Sequence, residues 1–421
     1  MIPSRMTKLN GYVRTVAAVA LLTASLVTMP LSKSSTDPMQ SKIDRIFAPV
    51  IAKDSPGAAV LVRAAGRPLF QSAYGVRELR TRAPIDAQTN FRLASCSKQF
   101  TAMAVMLLVH DGKLRYEDRL TDVFPNFPTY GRAITIRHLL NHTSGLPDYE
   151  DLMDRAVPDH AVTGAAPADK PFPWSDARQI QDDEVLALLE AQSAGKFPPG
   201  TAWSYSNSGY VVLGLVVAKI SGKPFDEFLR ERIFQPLKMN RTVAYRKGKN
   251  DVTNRAYGHS RENNASAGHG RSEFTQTDQS ATSATLGDGG IYSNLEDLAR
   301  WDQALANRTL ITAAELEPAL TPAKLVDGSV PRWPSAAGES DSQAGKPVSY
   351  GFGWFLDPYE GHQRMWHYGD TVGFKSVVDR FMKDRLTVIV LCNRSDLDPA
   401  ALAAKVAQLY FDAANYMSKD F

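Results

Sequence analysis

The chain has 421 residues, of which 43% are hydrophobic, 22% charged and 9% aromatic, and these proportions exclude disordered, collagenous and coiled-coil proteins. Its 48 lysines and arginines against 45 aspartates and glutamates leave a net charge of +3 without a long basic block, so nucleic acid is not expected as a partner. A chain of this length exceeds the size at which one core stops growing. We therefore expect two lobes with a ligand cleft between them.

The amino terminus has the layout of a secretory signal peptide. Three basic residues, Arg5, Lys8 and Arg14, precede an uncharged apolar run at 15–29. This run is shorter than the roughly 20 residues that a membrane-crossing helix needs, so a permanent anchor is the weaker interpretation. We expect residues 1–34 to act as a signal peptide with an undetermined cleavage site. The protein would then be periplasmic or secreted, with a membrane contact only if this segment is retained.

The two ends of the remaining chain, residues 35–421, carry similar strand patterns. Apolar and β-branched runs occur in pairs, and each pair is joined by a short polar turn. The strands predicted from them are 58–63, 69–75, 374–381 and 386–392. A helix at 400–416, which begins behind Asp398 and Pro399, closes the chain. We expect one antiparallel sheet built from both chain ends, in a sheet lobe of about 40–90 and 285–418.

The middle of the chain is richer in helix and predicts an inserted helical lobe at about 91–284. The predicted helices are 99–111, 182–192, 210–221 and 225–234. The helix at 210–221 is apolar on nearly every face, so it should be buried. The fold class expected from the whole chain is α/β or α+β, an antiparallel sheet flanked by helices together with this helical lobe.

A candidate nucleophile motif precedes the helix at 99–111. Ser95 and Lys98 stand three positions apart and so face the same way at its first turn. A serine hydroxyl needs a base to accept its proton, and a lysine whose pKa is lowered by burial can serve. The competing interpretation is a helix-capping serine with a solvated lysine one turn on. A second Ser-x-x-Lys, at Ser193 and Lys196, has no helix behind it and is predicted to be a loop.

A Tyr-x-Asn triplet provides a further base and an amide group. Tyr205 can share a proton with a nearby lysine, and Asn207 follows it at the start of a predicted helix. The same spelling recurs at 292–294. There Ser293 and Glu296 predict a capping box for the helix that follows, so this copy is expected to be structural.

A third motif stands immediately before the predicted strand at 374–381. It contains His367, Gly369 and Asp370. His367 can donate to a substrate carboxylate or carbonyl, and a small residue such as Gly369 lets a strand edge lie close to a substrate.

The order Ser-x-x-Lys, Tyr-x-Asn, His-x-Gly resembles that of the serine β-lactamase and penicillin-binding-protein superfamily. The branch it resembles includes class C β-lactamases, D-Ala-D-Ala carboxypeptidases, D-aminopeptidases and esterases with a β-lactamase fold. Segments at 138–147, 287–293 and 350–354 are similar to stretches common in this branch, and the resemblance covers about 40–415. It implies a β-lactamase/transpeptidase-like fold with the active site between the sheet and the helical lobe.

The resemblance also implies roles for individual residues and no cofactor or metal. The implied site comprises Ser95 as nucleophile, Lys98 and Tyr205 as bases, Asn207 as a substrate-amide contact, and His367 and Gly369 on the strand that lines the cleft. The implied oxyanion hole is formed by the backbone N–H groups of Ser95 and Asp370.

The expected activity is that of an exported serine hydrolase that forms an acyl-enzyme on an amide or ester bond. The candidate substrates are a D-amino-acid peptide such as a cell-wall stem, a small ester and a β-lactam, in that order. β-Lactams come last because His367 replaces the lysine that many β-lactamases carry, and a neutral histidine holds a carboxylate less firmly. The alternative is a penicillin-recognising sensor or cell-wall binding module that acylates without turnover.

Two other routes to function have weaker support. His138 and His142 have the i, i+4 spacing of two metal ligands, but no glutamate follows the first as in His-Glu-x-x-His. A helix end followed by a turn is the preferred interpretation. The sequence also lacks the Gly-x-Ser-x-Gly elbow of α/β-hydrolases.

Overall fold

A computed structural model of the chain describes residues 38–49, 51–155, 174–261, 273–334 and 343–417. The signal peptide predicted at 1–34 lies outside these residues. Within the described part of the chain, no helix is both long enough and apolar enough to cross a membrane.

The described residues form ten strands and eleven α-helices. The strands are β1 Ala58–Ala64, β2 Arg67–Tyr74, β3 Phe91–Arg92, β4 Val243–Ala244, β5 His259–Arg261, β6 Phe274–Gln276, β7 Ile291–Ser293, β8 Arg364–Thr371, β9 Phe374–Phe381 and β10 Leu386–Cys392. The helices are α1 Pro38–Phe47, α2 Lys98–His110, α3 Leu120–Val123, α4 Ile136–Leu140, α5 Tyr149–Arg155, α6 Asp182–Glu190, α7 Asn207–Ser221, α8 Phe225–Leu229, α9 Leu295–Asn307, α10 Ala313–Leu316 and α11 Pro399–Met417. A 3-10 turn at Ala94–Ser97 runs directly into α2, and a π turn at Arg230–Phe234 follows α8.

The central sheet is built from both ends of the chain, which confirms the prediction. Its five antiparallel strands have the order β2-β1-β10-β9-β8. β1 and β10 pair in the middle, where Val60 lies opposite Val390. Both strands are buried along almost their whole length because both faces of the sheet are covered, and this accounts for their continuous apolar sequences.

The two faces of the sheet contact different sets of helices. Val60 packs with Phe47 of α1 and Val406 of α11 in one cluster. The next residue, Leu61, points to the opposite face and joins the larger core, which contains Phe100 of α2. The sheet is thus a layer between the terminal helices and the helices of the middle of the chain.

Helices α2 and α7 pack together in the larger core and carry the first two motifs at their amino ends. α7 begins three residues before its predicted start because Ser206 caps it, its Oγ accepting from the backbone N of Gly209 at 3.1 Å. Gly222 ends the helix in the left-handed conformation, with φ of 71°.

The capping box predicted at Ser293 and Glu296 is wrong. Asn294 caps α9 instead, its side chain accepting from the backbone N of Asp297 at 3.0 Å. Ser293 is the last residue of β7, and its hydroxyl contacts that of Thr242 at 2.7 Å. The helix therefore begins one residue later than a Ser293 cap requires.

The edge strand β8 lies against the 3-10 turn that carries Ser95. A Cβ atom at Gly369 would stand only 2.1 Å from the carbonyl oxygen of Leu93 and 2.5 Å from Ser376 Oγ. Only glycine permits this approach. The small residue of the third motif thus brings strand and turn together.

Candidate active site

Ser95 lies in a partly exposed position on the 3-10 turn before α2. The turn is entered through Ala94, whose φ of 48° lies in the left-handed region that residues with a Cβ rarely occupy. Ser95 and Asn207 line a cleft with an empty volume of about 310 Å³. The hydroxyl of Ser95 is therefore accessible to a ligand.

Lys98 lies beneath Ser95 and has no exposed surface, which rules out a solvated lysine at this position. Its Nζ is 3.1 Å from Ser95 Oγ, 2.8 Å from Asn207 Oδ1 and 3.0 Å from the carbonyl oxygen of Asp288. Two of these neighbours can only accept, so a neutral amine that donates to both turns its lone pair towards Ser95.

The charge state of Lys98 is set mainly by burial. Burial lowers its pKa from 10.5 to about 8, while the carboxylates of Asp288, Asp148 and Glu150 oppose that shift. The neutral amine is therefore a minor form at neutral pH, but a far more populated one than in a solvated lysine. In that form Lys98 can accept the proton of the Ser95 hydroxyl.

Tyr205 completes the group around the nucleophile. Its phenol interacts with the side chain of Ser95, and Lys98 Nζ lies 4.8 Å from the centre of its ring. Burial raises the pKa of Tyr205 well above 10, an effect that the side chain of Ser95 reduces. The residue is therefore a phenol at rest and is suited to pass a proton on to a leaving group.

Asn207 is fixed by contacts at both its backbone and its side chain. Its backbone N donates to Asp148 Oδ2 at 2.8 Å, and its side-chain oxygen accepts from Lys98. The amide nitrogen of the side chain is then left to face the cleft that Asn207 lines with Ser95.

The structure places His367 differently from the expectation that it contacts substrate. Its side chain has no exposed surface, and its ring nitrogens lie 3.1 Å from Tyr350 Oη and 2.6 Å from the carbonyl oxygen of Tyr368. Alternation along β8 turns His367 inward and Tyr368 outward. Burial, and then the charge of Lys98, lower the pKa of His367 to about 3, so the ring is neutral.

The backbone N–H of Asp370 points off the outer edge of strand β8. The backbone N of Trp366 points off the free edge of the sheet and donates to the carbonyl oxygen of Phe355 at 2.9 Å. Because N–H directions repeat every second residue of a strand, the N–H of Asp370 points the same way. Asp370 and Ser95 line the same cleft, and the carboxylate of Asp370 is paired with Lys375 at 3.3 Å.

The second copies of both motifs lie outside this cleft. Lys196 is exposed and donates to Asp151 at 3.0 Å, while Ser193 lies in an irregular surface segment, so the predicted loop is confirmed. Tyr292 is buried, and its phenolic oxygen accepts from Arg255 at 3.0 Å. The second Ser-x-x-Lys thus makes a contact at the surface, and the second Tyr-x-Asn makes a contact in the core.

His138 and His142 do not share a helix, because α4 ends at Leu140. His142 is buried, and its Nδ1 accepts from the backbone N of Ser206 at 3.2 Å. Its ring lies 4.4 Å from that of Tyr205. The described residues contain no cluster of three or more metal-ligating side chains.

Several residues of the cleft were not predicted from the sequence. Arg92, Tyr149, Glu150 and Asp288 all line it beside Ser95. Desolvation of its carboxyl group, and then the carboxylates of Asp148 and Asp288, raise the pKa of Glu150 to about 7. Tyr149 and Glu150 lie just after the segment at 138–147 noted above, and Asp288 lies within the segment at 287–293; these were the available signals.

The Beta-lactamase family matches residues 43–411 of this chain. The chain belongs to that family. A penicillin-binding protein of Bacillus subtilis (strain 168) is 31% identical over 359 residues, which are 84% of this chain and 72% of the relative. A D-aminopeptidase of Cereibacter sphaeroides (strain ATCC 17023) is 27% identical over 353 residues, and here the chain spans only 59% of the relative. The family places the chain in the serine hydrolase superfamily.

Solved structures show the same fold at lower identity. A penicillin-binding protein homologue from Pyrococcus abyssi has a TM-score of 0.68 at 23% identity, covering 89% of this chain and 77% of that one. The D-amino acid amidase of Ochrobactrum anthropi SV3 has a TM-score of 0.68 at 22% identity, covering 90% and 100%. The β-lactamase/transpeptidase-like fold expected from the sequence is thus confirmed.

Proposed function

We propose that this protein is an exported serine hydrolase that cleaves an amide or ester bond through an acyl-enzyme on Ser95. The observation that carries the proposal is the contact between Ser95 Oγ and the buried amine of Lys98 at 3.1 Å. Few arrangements other than an activated nucleophile place a lysine of lowered pKa against a serine at the mouth of a cleft.

The chemistry follows from the placement of these groups. Neutral Lys98 accepts the hydroxyl proton as Ser95 Oγ bonds to the carbonyl carbon of the substrate. The N–H groups of Ser95 and Asp370 stabilise the oxyanion of the tetrahedral intermediate. The phenol of Tyr205 gives a proton to the leaving group and regains one from Lys98. A water molecule then attacks the carbonyl carbon of the acyl-enzyme. As the bond from that carbon to Ser95 Oγ breaks, one proton of the water passes to Oγ and the carboxylic acid product leaves.

A D-amino-acid peptide, such as a cell-wall stem, is the preferred substrate class, followed by a small ester and a β-lactam. The D-aminopeptidase relative and the D-amino acid amidase neighbour support that order. The burial of His367 also supports the last place of β-lactams, because this side chain offers no charge to a substrate carboxylate. Export by the segment at 1–34 would bring the enzyme to such substrates.

Measuring turnover distinguishes this enzyme from a sensor that is acylated once and does not hydrolyse its acyl-enzyme. Purified protein without residues 1–34 is assayed with p-nitrophenyl acetate, D-alanine p-nitroanilide and a chromogenic cephalosporin, with a labelled penicillin as trap. We expect many turnovers of the ester or the anilide and loss of both in Ser95→Ala. Ser193→Ala is the matched control and should behave as wild type.

A single stoichiometric burst with every substrate, followed by a stable acyl-enzyme, would support the sensor instead. Turnover that survives in Ser95→Ala would contradict the assignment of the nucleophile.

A further inference from the structure

Tyr205 lies in a stretch of chain that has no regular secondary structure of its own. Residues 203–206 belong to no helix or strand, and α7 begins at Asn207. The phenol must nevertheless stay close to Ser95 if it is to pass a proton to a leaving group. A misplacement of about 1 Å can cost about a hundredfold in rate. The position of Tyr205 must therefore be fixed by contacts with other parts of the chain.

His142 makes hydrogen bonds on both sides of Tyr205. Its carbonyl oxygen accepts from the backbone N of Ser204 at 3.0 Å, and its Nδ1 accepts from the backbone N of Ser206 at 3.2 Å. The imidazole also contacts the side chain between them, because the ring centroids of His142 and Tyr205 lie 4.4 Å apart with their planes tilted by 36°. One residue thus holds the backbone before and after Tyr205 and packs against its ring.

The imidazole of His142 is held in one charge state and one tautomer. The side chain is buried, and burial, followed by the charges of Lys98 and His367, lowers its pKa well below 6.5, so the ring is neutral. Because Nδ1 accepts from a backbone N–H, the proton of the neutral ring lies on Nε2. Nδ1 therefore stays an acceptor for Ser206 whether Lys98 is charged or neutral.

The placement of His142 is unfavourable for stability in two ways. Its φ of 63° lies in the left-handed region, which residues with a Cβ rarely occupy. Its Nε2 is buried and has no hydrogen-bond partner among the residues that the structure describes, and an unpaired buried donor is costly. Strained backbone and unpaired buried groups cluster at functional sites. Both features occur at the residue that holds Tyr205, and this favours a functional role for His142.

We propose that His142 is a positioning residue for Tyr205, holding the phenol within reach of Ser95 and the leaving group. It acts through Tyr205 and, being buried, does not touch the substrate. This inference rests on the proposed function, because it concerns the proton that Tyr205 gives to the leaving group. A variant that frees Tyr205 from His142 should slow a reaction more, the more its leaving group needs that proton.

The test uses two esters with the same acyl group, phenyl acetate and p-nitrophenyl acetate, and measures the second-order rate constant of acylation. Phenoxide is the more basic leaving group and depends more on a proton, so the phenyl to p-nitrophenyl rate ratio reports on Tyr205. His142→Phe keeps an aromatic ring but removes the Nδ1 acceptor, and it should lower this ratio by about tenfold. His142→Asn retains an acceptor at the position of Nδ1 and tolerates a positive φ, so it should keep a ratio close to that of wild type.

His138→Phe is the matched control. The Nδ1 of His138 also accepts from a backbone N at 3.2 Å, but its donor is Thr135, the cap of α4. This variant should keep the wild-type ratio. Tyr205→Phe should lower the ratio, and adding His142→Phe to it should lower the ratio no further, because the two residues act through the same phenol.

A general disturbance of the fold would give different results. Equal losses with both esters in His142→Phe, or an equal fall of the ratio in His142→Phe and His138→Phe, would overturn the proposal. A further fall in the double variant would do the same. If thermal melting shows that His142→Phe does not fold, His142→Asn decides alone. Its ratio should then stay near that of wild type, and a ratio as low as that of Tyr205→Phe would contradict the role of His142.

Labelling by a fluorophosphonate, whose fluoride leaving group needs no proton, separates the positioning role from the proposed function. If Ser95 is labelled in wild type and the ester ratio is the same in wild type and His142→Phe, the positioning role is wrong and the hydrolase stands. If Ser95 is not labelled and neither ester acylates it, the proposed function itself fails.

Discussion

Two segments of this chain share the Ser-x-x-Lys spacing and lie in opposite environments. Lys98 is buried under Ser95 with three polar neighbours, and burial lowers its pKa to about 8. Lys196 is exposed, belongs to an irregular segment and pairs with the carboxylate of Asp151. The Ser-x-x-Lys spacing thus produces a serine with a neighbouring base only where a helix and a buried core fix both side chains and exclude water from the amine.

The two Tyr-Ser-Asn triplets likewise have the same residues but different roles, which depend on the local structure. In the first, Ser206 caps α7, so that Tyr205 and Asn207 lie on either side of the cap and meet Ser95 and Lys98. In the second, the serine belongs to strand β7 and the asparagine is the cap. A shift of the helix start by one residue within the triplet turns catalytic candidates into structural ones.

The largest predicted difference is in the acylation rate when the two lysines, Lys98 and Lys196, are replaced. Lys98→Met keeps the buried side chain at similar length but removes the base, so the acylation rate should fall by about 10²–10⁴-fold. Lys196→Met removes an exposed ion pair worth roughly 0–1 kcal/mol and should leave acylation unchanged. Stopped-flow acylation by a chromogenic ester measures both, with thermal melting as the test of folding. Equal rates in the two variants would remove Lys98 from the mechanism.

The pH dependence of acylation tests the environment of Lys98 directly. Because burial lowers its pKa, the neutral base is the minor form below about pH 8 and the major form above it. The acylation rate should rise about tenfold per pH unit up to pH 8 and then level off. A rise that continues to the ordinary lysine value of 10.5 would mean that Lys98 is solvated in the working enzyme.

Replacing the tyrosines of the two Tyr-Ser-Asn triplets, Tyr205 and Tyr292, should change activity by a smaller factor than replacing the two lysines. Tyr205→Phe removes the phenol that interacts with Ser95, and we expect kcat to fall by about 10- to 100-fold for an anilide. An ester, whose leaving group needs no proton, should be less affected. Tyr292→Phe loses the contact with Arg255, which should cost about 1 kcal/mol of stability and no activity. A loss of activity that is equal in both variants would contradict the role of Tyr205.

The sequence was sufficient to predict the bounds of elements whose residues follow a local pattern. The bounds predicted for β9 and β10 agree with the structure, because their β-branched runs are interrupted only by a polar turn. The sheet formed from both chain ends followed from those strands. The predicted start of α7 was three residues late, since apolar periodicity begins after the cap and not at it.

The rest of the site depends on contacts between distant segments. The inward direction of His367 follows from the face that β8 presents to the core, and a sequence of alternating residues does not say which face is buried. Asp288 lies in the segment at 287–293, but the contact of its backbone oxygen with Lys98, 190 positions away, is not marked by any local pattern. Glu150 was missed for the same reason.

The most direct test of the central claim is the intact mass of the protein after reaction with a fluorophosphonate. Wild type, Ser95→Ala and Ser193→Ala are treated in parallel. We predict one added label on wild type and on Ser193→Ala, and none on Ser95→Ala. A label that persists on Ser95→Ala, or one that is lost in Ser193→Ala, would contradict the claim that Ser95, next to the buried amine of Lys98, is the nucleophile.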